Sequence, residues 1–171
     1  MTLNSKSILI TGARGRLGSF VTEKLLVEET LARVGRIDAF VHLVGAFAGG
    51  PSLPETSDQD LARMFMMNFQ SAFHKSRAVL PSMRWEGSRR ILAIASRAAV
   101  APAAAQSAYA APKAALVSLI RSLAIENADR GICANVAMSN ARLRQWTPPA
   151  EVAALSAHLT GAVIPIDASP S

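Results

Sequence analysis

The chain has little sulfur and few aromatic side chains. Among its 171 residues there is one cysteine, Cys133, and aromatic residues make up 5%. A lone cysteine excludes a disulfide framework and a cysteine-based metal cluster. The three histidines, His42, His74 and His158, have no metal-ligand spacing, so we predict no metal site. Alanine and aliphatic side chains must therefore form most of the core, which is typical of α/β proteins.

Long runs of charged or of apolar residues are also missing. The formal net charge is +6, but the arginines are scattered singly or in pairs. A nucleic-acid surface usually carries a basic stripe with interleaved aromatic residues, so we expect no nucleic-acid partner. No segment resembles a signal peptide or a membrane span. We therefore expect a cytoplasmic protein with no membrane partner.

The chain does have a regular alternation of short apolar segments and longer helical segments. Strands are predicted at residues 7–11, 39–44, 90–96, 132–137 and 162–167, and helices at 19–34, 58–83 and 107–127, with a last helix opening at 148–151. This alternation predicts a doubly wound parallel sheet in a three-layer α/β/α arrangement. No repeat or linker marks a second domain, so residues 1–171 are predicted to form a single domain.

Tyr109 and Lys113 lie four residues apart in a predicted helix, and so on one face of it. An ammonium group beside a phenol favours the phenolate, which brings the tyrosine pKa down from about 10 towards the range needed for proton transfer. Ser96 ends a predicted strand, and its hydroxyl could bind the same oxygen that the tyrosine protonates. The three side chains are suited to reducing a carbonyl or oxidising an alcohol, if a hydride carrier lies nearby.

A glycine-rich turn follows the first predicted strand and precedes a helix. Its glycines, Gly12, Gly15 and Gly18, are separated by two residues each. Such glycines allow a tight turn and let the backbone approach a pyrophosphate group. The turn is a candidate dinucleotide site, although glycine turns between a strand and a helix are also common without a ligand.

Over most of residues 7–137, and again around residues 160–165, the chain resembles the short-chain dehydrogenase/reductase family. The resemblance rests on the glycine turn, the strand ending at Gly45, Asn68 in the following helix, Ser96, and the Tyr109-x-x-x-Lys113 pair. It implies a Rossmann-like, NAD(P)-dependent oxidoreductase that transfers a hydride between the nucleotide and a small carbonyl or secondary alcohol substrate.

The resemblance also implies a role for each catalytic residue. Tyr109 would be the general acid in reduction and the base in oxidation, and Ser96 would orient the substrate oxygen. Lys113 would lower the pKa of Tyr109 and hydrogen-bond the nicotinamide ribose. Asn68 would hold a water molecule that links Lys113 to solvent.

The cofactor site implied by the resemblance extends from the glycine turn to the catalytic helix. Its expected residues are Gly12, Arg14, Gly15, Arg16, Leu17, Gly18, Gly45, Tyr109 and Lys113. In this family a basic residue within the turn often meets the 2′-phosphate of the nucleotide. Arg14 and Arg16 therefore favour NADP over NAD.

The substrate and the assembly are less defined. The segment from Ala46 to Gly50 faintly resembles dihydropteridine reductases, and a 3-ketoacyl reductase-like enzyme is at least as compatible with Ser96. Members of the family usually associate through the helices predicted here at 58–83 and 107–127. A homodimer or homotetramer is therefore implied.

The chain departs from the family most clearly in its length. Only 26 residues separate Gly18 from Gly45, where the family has two further strands and helices, so the second and third strands should be lacking. One hypothesis is that residues are missing near Leu25/Leu26, after Asn140 and near Leu159. A continuous helix across Leu25/Leu26 would contradict it. The alternative is a minimal chain whose first strand is an open sheet edge, which keeps a non-catalytic binding or regulatory protein as an alternative function.

Overall fold

The computed structural model describes residues 6–12, 23–47, 50–85, 89–139 and 160–166. Its strands are β1 (Ile8–Thr11), β2 (Ala39–His42), β3 (Arg89–Ser96), β4 (Ile132–Ser139) and β5 (Val163–Ile166). They form one parallel sheet in the order β1-β2-β3-β4-β5. Within these residues the predicted parallel, Rossmann-like sheet without the family's second and third strands is confirmed.

Four α-helices accompany the strands in the described residues: α1 (Glu23–Val34), α2 (Asp58–Phe65), α3 (Ser71–Met83) and α4 (Ser107–Glu126). A π-helical turn at Met66–Gln70 joins α2 to α3, so the helix predicted at 58–83 is continuous but locally widened. Ser57 caps its start by accepting a hydrogen bond from the Asp60 amide. The helix predicted to open at 148–151 lies outside the described residues.

The main core lies between these helices and one face of the sheet. Leu9, Phe40 and Ile91 are register partners on adjacent strands, and they pack with Val27 of α1 and Leu116 of α4. Because side chains alternate along a strand, the residues between them face the other way. There a smaller cluster forms around Val41, Leu92 and Ala137. The described helices therefore cover one face of the sheet.

Helix α1 runs without interruption across Leu25 and Leu26. The hypothesis of missing residues is therefore wrong at this junction, and the minimal route is the one that the chain takes. The physical reason is that β1 and β2 are parallel neighbours, which one crossover helix can connect. Since α1 packs beside α3, the chain need not return across the sheet. The junctions after Asn140 and near Leu159 lie outside the described residues.

A buried ion-pair cluster ties together the amino ends of the first three strands. Asp38 is 4% exposed, accepts a hydrogen bond from the Ser7 amide at 2.8 Å, and pairs with Arg89, Arg36 and Lys6. Burial acts to raise the Asp38 pKa, but this hydrogen bond and the three cations outweigh it and hold the pKa below its usual value. The cluster lies at the amino ends of the strands, whereas the candidate site lies at their carboxyl ends.

Helix α4 is long and apolar enough to cross a membrane by length and composition, with a mean hydropathy of 1.2. It packs against β3 and β4, and its buried side chains include Leu116, Val117 and Ile120. The core helix of a globular domain meets the same criterion, so this property is weak support for a membrane span.

Candidate active site

The predicted site residues in the described part of the chain lie at the carboxyl edge of the sheet. Ser96 ends β3, Gly45 follows β2, and Gly12 follows β1. Because the strands are parallel, their carboxyl ends meet at this edge, where ligands bind in open α/β sheets. Helix α4 adds Tyr109 and Lys113, which lie in its first half.

Lys113 reaches from α4 to the carboxyl end of β3. Its side chain is 5% exposed, and its Nζ donates a hydrogen bond to the Ile94 carbonyl oxygen at 3.0 Å. Burial lowers the pKa of Lys113 to about 8, since desolvation penalises the charged form. Its Nζ lies 6.0 Å from the centroid of the Tyr109 ring, so the two side chains share one face of α4 as the spacing predicts.

Asn68 is fully buried in the π-helical turn. Its Oδ1 accepts a hydrogen bond from the Ala46 amide at 3.1 Å, and its Nδ2 donates to the carbonyl oxygens of Ala46 at 2.9 Å and Met64 at 3.0 Å. Asn68 therefore fixes the loop after β2. Its Oδ1 has two lone pairs, so one acceptor position remains beyond the bond from Ala46.

Gly45 is the point at which Asn68 and Lys113 converge. A Cβ atom at Gly45 would lie 3.0 Å from Asn68 Oδ1 and 3.2 Å from Lys113 Nζ. These distances are tighter than ordinary van der Waals contact, so the absent side chain is what lets both polar groups approach the loop backbone. The structure thus brings three of the predicted residues together.

Ser96 and Tyr109 complete the polar edge. Ser96 Oγ accepts a hydrogen bond from the Ala98 amide at 3.3 Å, in the 3₁₀ turn Arg97–Ala99 that packs against α4. The Ser96 hydroxyl proton remains available to another acceptor. Tyr109 is half-buried, and the ring of Phe47 meets it edge to face with centroids 4.9 Å apart.

Gly12 adopts a φ of +86°, which a residue with a side chain rarely adopts. A Cβ atom there would lie 2.6 Å from the Val44 amide nitrogen, so the turn is pressed against the chain leaving β2. The other predicted turn residues, Arg14, Gly15, Arg16, Leu17 and Gly18, lie outside the described residues.

His42 is a buried residue of this region to which we assigned no role from the sequence. Its ring is 1% exposed and lies between the hydroxyls of Thr11 and Ser71. Its place near the end of a predicted strand, three residues before Gly45, is the signal that the sequence offers, but neither hydrogen-bond partner is adjacent in sequence. In the described part of the chain, no three His, Cys, Asp or Glu side chains cluster to hold a metal ion.

This parallel sheet, with a glycine turn after β1 and Asn, Ser, Tyr and Lys side chains at its carboxyl edge, places the molecule among the Rossmann-like α/β proteins. The family model for short chain dehydrogenases matches residues 17–141, and the chain belongs to that family.

Individual relatives agree with this family. The chain is 36% identical over 125 residues to the (2S)-[(R)-hydroxy(phenyl)methyl]succinyl-CoA dehydrogenase subunit BbsC of Thauera aromatica, covering 73% of this chain and 49% of that protein. It is 32% identical over 110 residues to the 7alpha-hydroxysteroid dehydrogenase of Escherichia coli strain K12, covering 64% and 42%. The chain therefore spans about half the length of the curated relatives it matches.

Solved structures show the same fold. A short chain dehydrogenase from Mycobacterium smegmatis superposes with a TM-score of 0.75 at 26% identity, covering 90% of this chain and 68% of that one. A short-chain dehydrogenase/reductase from Burkholderia xenovorans gives a TM-score of 0.73 at 26% identity, covering 84% and 67%.

Proposed function

We propose that this protein is an NAD(P)-dependent oxidoreductase that transfers a hydride between the nucleotide and a carbonyl or secondary alcohol substrate, with Tyr109 as the general acid and base. The observation that carries the proposal is the convergence of Asn68 and Lys113 at Gly45, with Lys113 on the same face of α4 as Tyr109. Membership of a dehydrogenase family supports the same chemistry.

The residues at the sheet edge fit a nicotinamide nucleotide. Lys113 Nζ has three donors, and within the described residues its hydrogen-bond acceptor is the Ile94 carbonyl, which leaves donors for ribose hydroxyls. The positive φ of Gly12 lets the chain turn at the carboxyl end of β1, which is where open α/β sheets bind nucleotides. The nucleotide, when bound, supplies the hydride that the side chains cannot.

The side chains of the protein carry out the proton transfer. During reduction, Tyr109 donates its phenolic proton to the carbonyl oxygen as negative charge develops there, while the Ser96 hydroxyl donates a hydrogen bond to the same oxygen. The Lys113 ammonium stabilises the phenolate that remains. Asn68 holds the Ala46 loop beside Lys113 and offers its second lone pair to the water that would return a proton.

NADP is the nucleotide that we favour, because Arg14 and Arg16 offer charge-assisted hydrogen bonds to a 2′-phosphate. The substrate class is a small ketone or secondary alcohol. The relatives named for a hydroxysteroid and for a succinyl-CoA derivative make a steroid ketone and a 3-oxoacyl thioester the first compounds to try. The assembly that we propose is a homodimer or homotetramer.

One observation favours a second candidate function. Among the described residues the sheet starts at β1, and the strands that carry the adenine pocket in the family have no counterpart there. A chain that cannot hold the nucleotide would be a non-catalytic binding or regulatory protein on the same fold. Nucleotide binding is therefore the property that separates the two candidates.

The deciding experiment titrates the purified chain with NADPH and, separately, with NADH, following nucleotide fluorescence. We expect both to bind, with NADPH tighter, because the second phosphate gains a charge-assisted contact. The double variant Arg14→Gln/Arg16→Gln should bind NADPH and NADH with similar dissociation constants. If neither nucleotide binds, the oxidoreductase proposal is wrong and the regulatory alternative takes its place.

Tyr109→Phe tests the proton donor once a substrate is found. We expect kcat to fall by roughly 100-fold or more, since a general acid contributes about that much, while the NADPH dissociation constant stays within about twofold. Ser96→Ala should lower kcat in the same direction. The matched control is Ser122→Ala, an exposed serine near the end of α4, which should leave turnover unchanged. A Tyr109→Phe variant with undiminished turnover would remove Tyr109 from the mechanism.

A further inference from the structure

His42 is a buried titratable group that the proposed chemistry does not use. It ends β2, and its imidazole is 1% exposed. Its Nδ1 lies 3.0 Å from the hydroxyl oxygen of Thr11 at the end of β1, and its Nε2 lies 3.3 Å from the hydroxyl oxygen of Ser71 at the start of α3. Thr11 and Ser71 are each 5% exposed, so the ring is held between two buried hydroxyls.

The protons of these three side chains can be assigned in turn, starting from the Ser71 hydroxyl. The Ser71 hydroxyl donates its single proton to the Met67 carbonyl oxygen at 2.7 Å, so its oxygen can only accept from the histidine. Nε2 must therefore carry a hydrogen. Burial lowers the pKa of His42 to about 3, with Lys75 and Lys113 adding repulsion, so the ring is neutral and Nδ1 is an acceptor. Thr11 then donates to Nδ1.

Both ends of this chain of hydrogen bonds adjoin the candidate site. Thr11 directly precedes Gly12, where the backbone turns through a positive φ. Met67 directly precedes Asn68 within the π-helical turn. The three hydrogen bonds all run in one direction, from the Thr11 hydroxyl to the Met67 carbonyl, so each can polarise the next.

We propose that His42 is a positioning residue, which sets the start of the glycine turn relative to the helical turn that holds Asn68. The proposal rests on the proposed function, because His42 would align the glycine turn, which binds the nucleotide, with the helical turn of Asn68, which belongs to the proton-transfer part of the site. An apolar ring of similar size would fill the same space without fixing the distance between the two elements. His42 itself neither touches the substrate nor transfers a proton.

A double-mutant cycle tests this coupling. Thr11→Val and Ser71→Ala are made singly and together, and the NADPH dissociation constant is measured for each. If His42 connects the two hydroxyls, their effects should be non-additive by roughly threefold or more. The same cycle in a His42→Phe background should be additive. Additive effects with His42 in place would overturn the proposal.

Thr11→Ser is the conservative control. It keeps the hydroxyl and loses only a methyl group, so it should bind NADPH as the parent protein does, whereas Thr11→Val should bind roughly tenfold more weakly. A general packing defect would weaken binding in both variants. Equal loss in Thr11→Ser and Thr11→Val would therefore count against a hydrogen-bonded connection.

Two readouts do not depend on the oxidoreductase proposal. Nitrogen-15 NMR of the full chain should show His42 with a protonated Nε2 and an unprotonated Nδ1 at neutral pH, and the opposite tautomer would overturn the proton assignment. If the parent protein binds neither NADPH nor NADH, the proposed function fails, and the cycle is then measured on the free energy of unfolding in urea. There the coupling between Thr11 and Ser71 should persist, and its absence would overturn the role of His42.

Discussion

At the scale of single residues, the site depends on one position without a side chain. Gly45 lets Asn68 Oδ1 and Lys113 Nζ approach the loop after β2 from two different helical segments. Lys113 is thereby held under the carboxyl end of β3, where its burial lowers its pKa to about 8. A lysine with this pKa is still mostly protonated at neutral pH, so it can stabilise an anion on Tyr109.

Gly45→Ala should therefore impair the site without disturbing the rest of the fold. The added methyl would meet two polar atoms that cannot both retreat without breaking hydrogen bonds to Ala46 and Ile94. We expect a loss of about 1–3 kcal/mol in the free energy of unfolding and a clear fall in turnover. Urea unfolding and steady-state kinetics measure the two effects.

The matched control is Gly50→Ala in the same loop. A Cβ atom at Gly50 meets nothing within 4 Å, so the same substitution should be close to neutral there. If Gly45→Ala proves as harmless as Gly50→Ala, the tight packing around Gly45 does not restrict the site.

The sequence predicts some residue contacts and cannot predict others. Tyr109 and Lys113 were predictable as one face of a helix because helical spacing is fixed. The partners of His42 were not, since Thr11 and Ser71 are 31 and 29 residues away and meet the ring only through the pairing of β1 with β2 and the packing of α3. The acceptor for Lys113, the Ile94 carbonyl, is similarly set by how α4 crosses β3.

At the scale of elements, the alternation of strands and helices was predictable, but local irregularity was not. The helix at 58–83 has no sequence signal that separates a π-helical turn from regular α-helix. The turn occurs where Asn68 bonds both the Met64 carbonyl within the helix and Ala46 outside it. Such turns are frequent at functional sites. The widened helix therefore places Asn68 at the sheet edge.

The edge strand β1 offers a direct check on which sheet face the helices cover. Leu9 is 7% exposed and packs under the helices, whereas its neighbour Ile10 is 42% exposed on the opposite face. We expect Leu9→Ala to cost about 2–4 kcal/mol of unfolding free energy, because it leaves a cavity. Ile10→Ala should cost about 1 kcal/mol or less. Urea unfolding of both variants measures the difference.

Equally large costs at the two positions would mean that β1 is covered on both faces. Equally small costs would contradict the packing of α1 and α3 on the Leu9 side.

At the scale of the whole molecule, the chain is short and yet keeps the polar residues at the carboxyl ends of its strands. The single crossover through α1 removes the family's outer strands but keeps β1 beside β2, and so keeps Gly12 against Val44. From the sequence, the short length allowed two alternatives: missing residues, or a minimal chain with its first strand at the edge of the sheet. The sequence did not decide between them, because periodicity predicts strands and helices but not which strands are neighbours. The carboxyl edge survives because its residues come from strands, a π-helical turn and a helix that all remain, namely β1 to β3, Met66–Gln70 and α4.

Two buried basic groups should make the stability of the molecule depend on pH. The pKa of Lys113 is lowered from 10.5 to about 8, so between these values the unfolded chain binds more protons than the folded one. Stability therefore rises as pH increases through this window. The pKa of His42 is lowered from 6.5 to about 3, which by the same sign makes stability fall as pH drops from 6.5 towards 3.

Urea unfolding of the parent protein and of Lys113→Met, both made in a Tyr109→Phe background, across pH 7 to 11 isolates the lysine contribution, since the neighbouring phenol is then absent from both. The parent should gain roughly 3 kcal/mol relative to Lys113→Met between pH 8 and 10.5, following about 1.4 kcal/mol per pKa unit. Below pH 8 the difference between the two proteins should be constant, because Lys113 is then protonated in both folded and unfolded states. A difference that stays constant over the whole range would mean that Lys113 keeps its ordinary pKa, and so that it lies in water and not beneath the carboxyl end of β3.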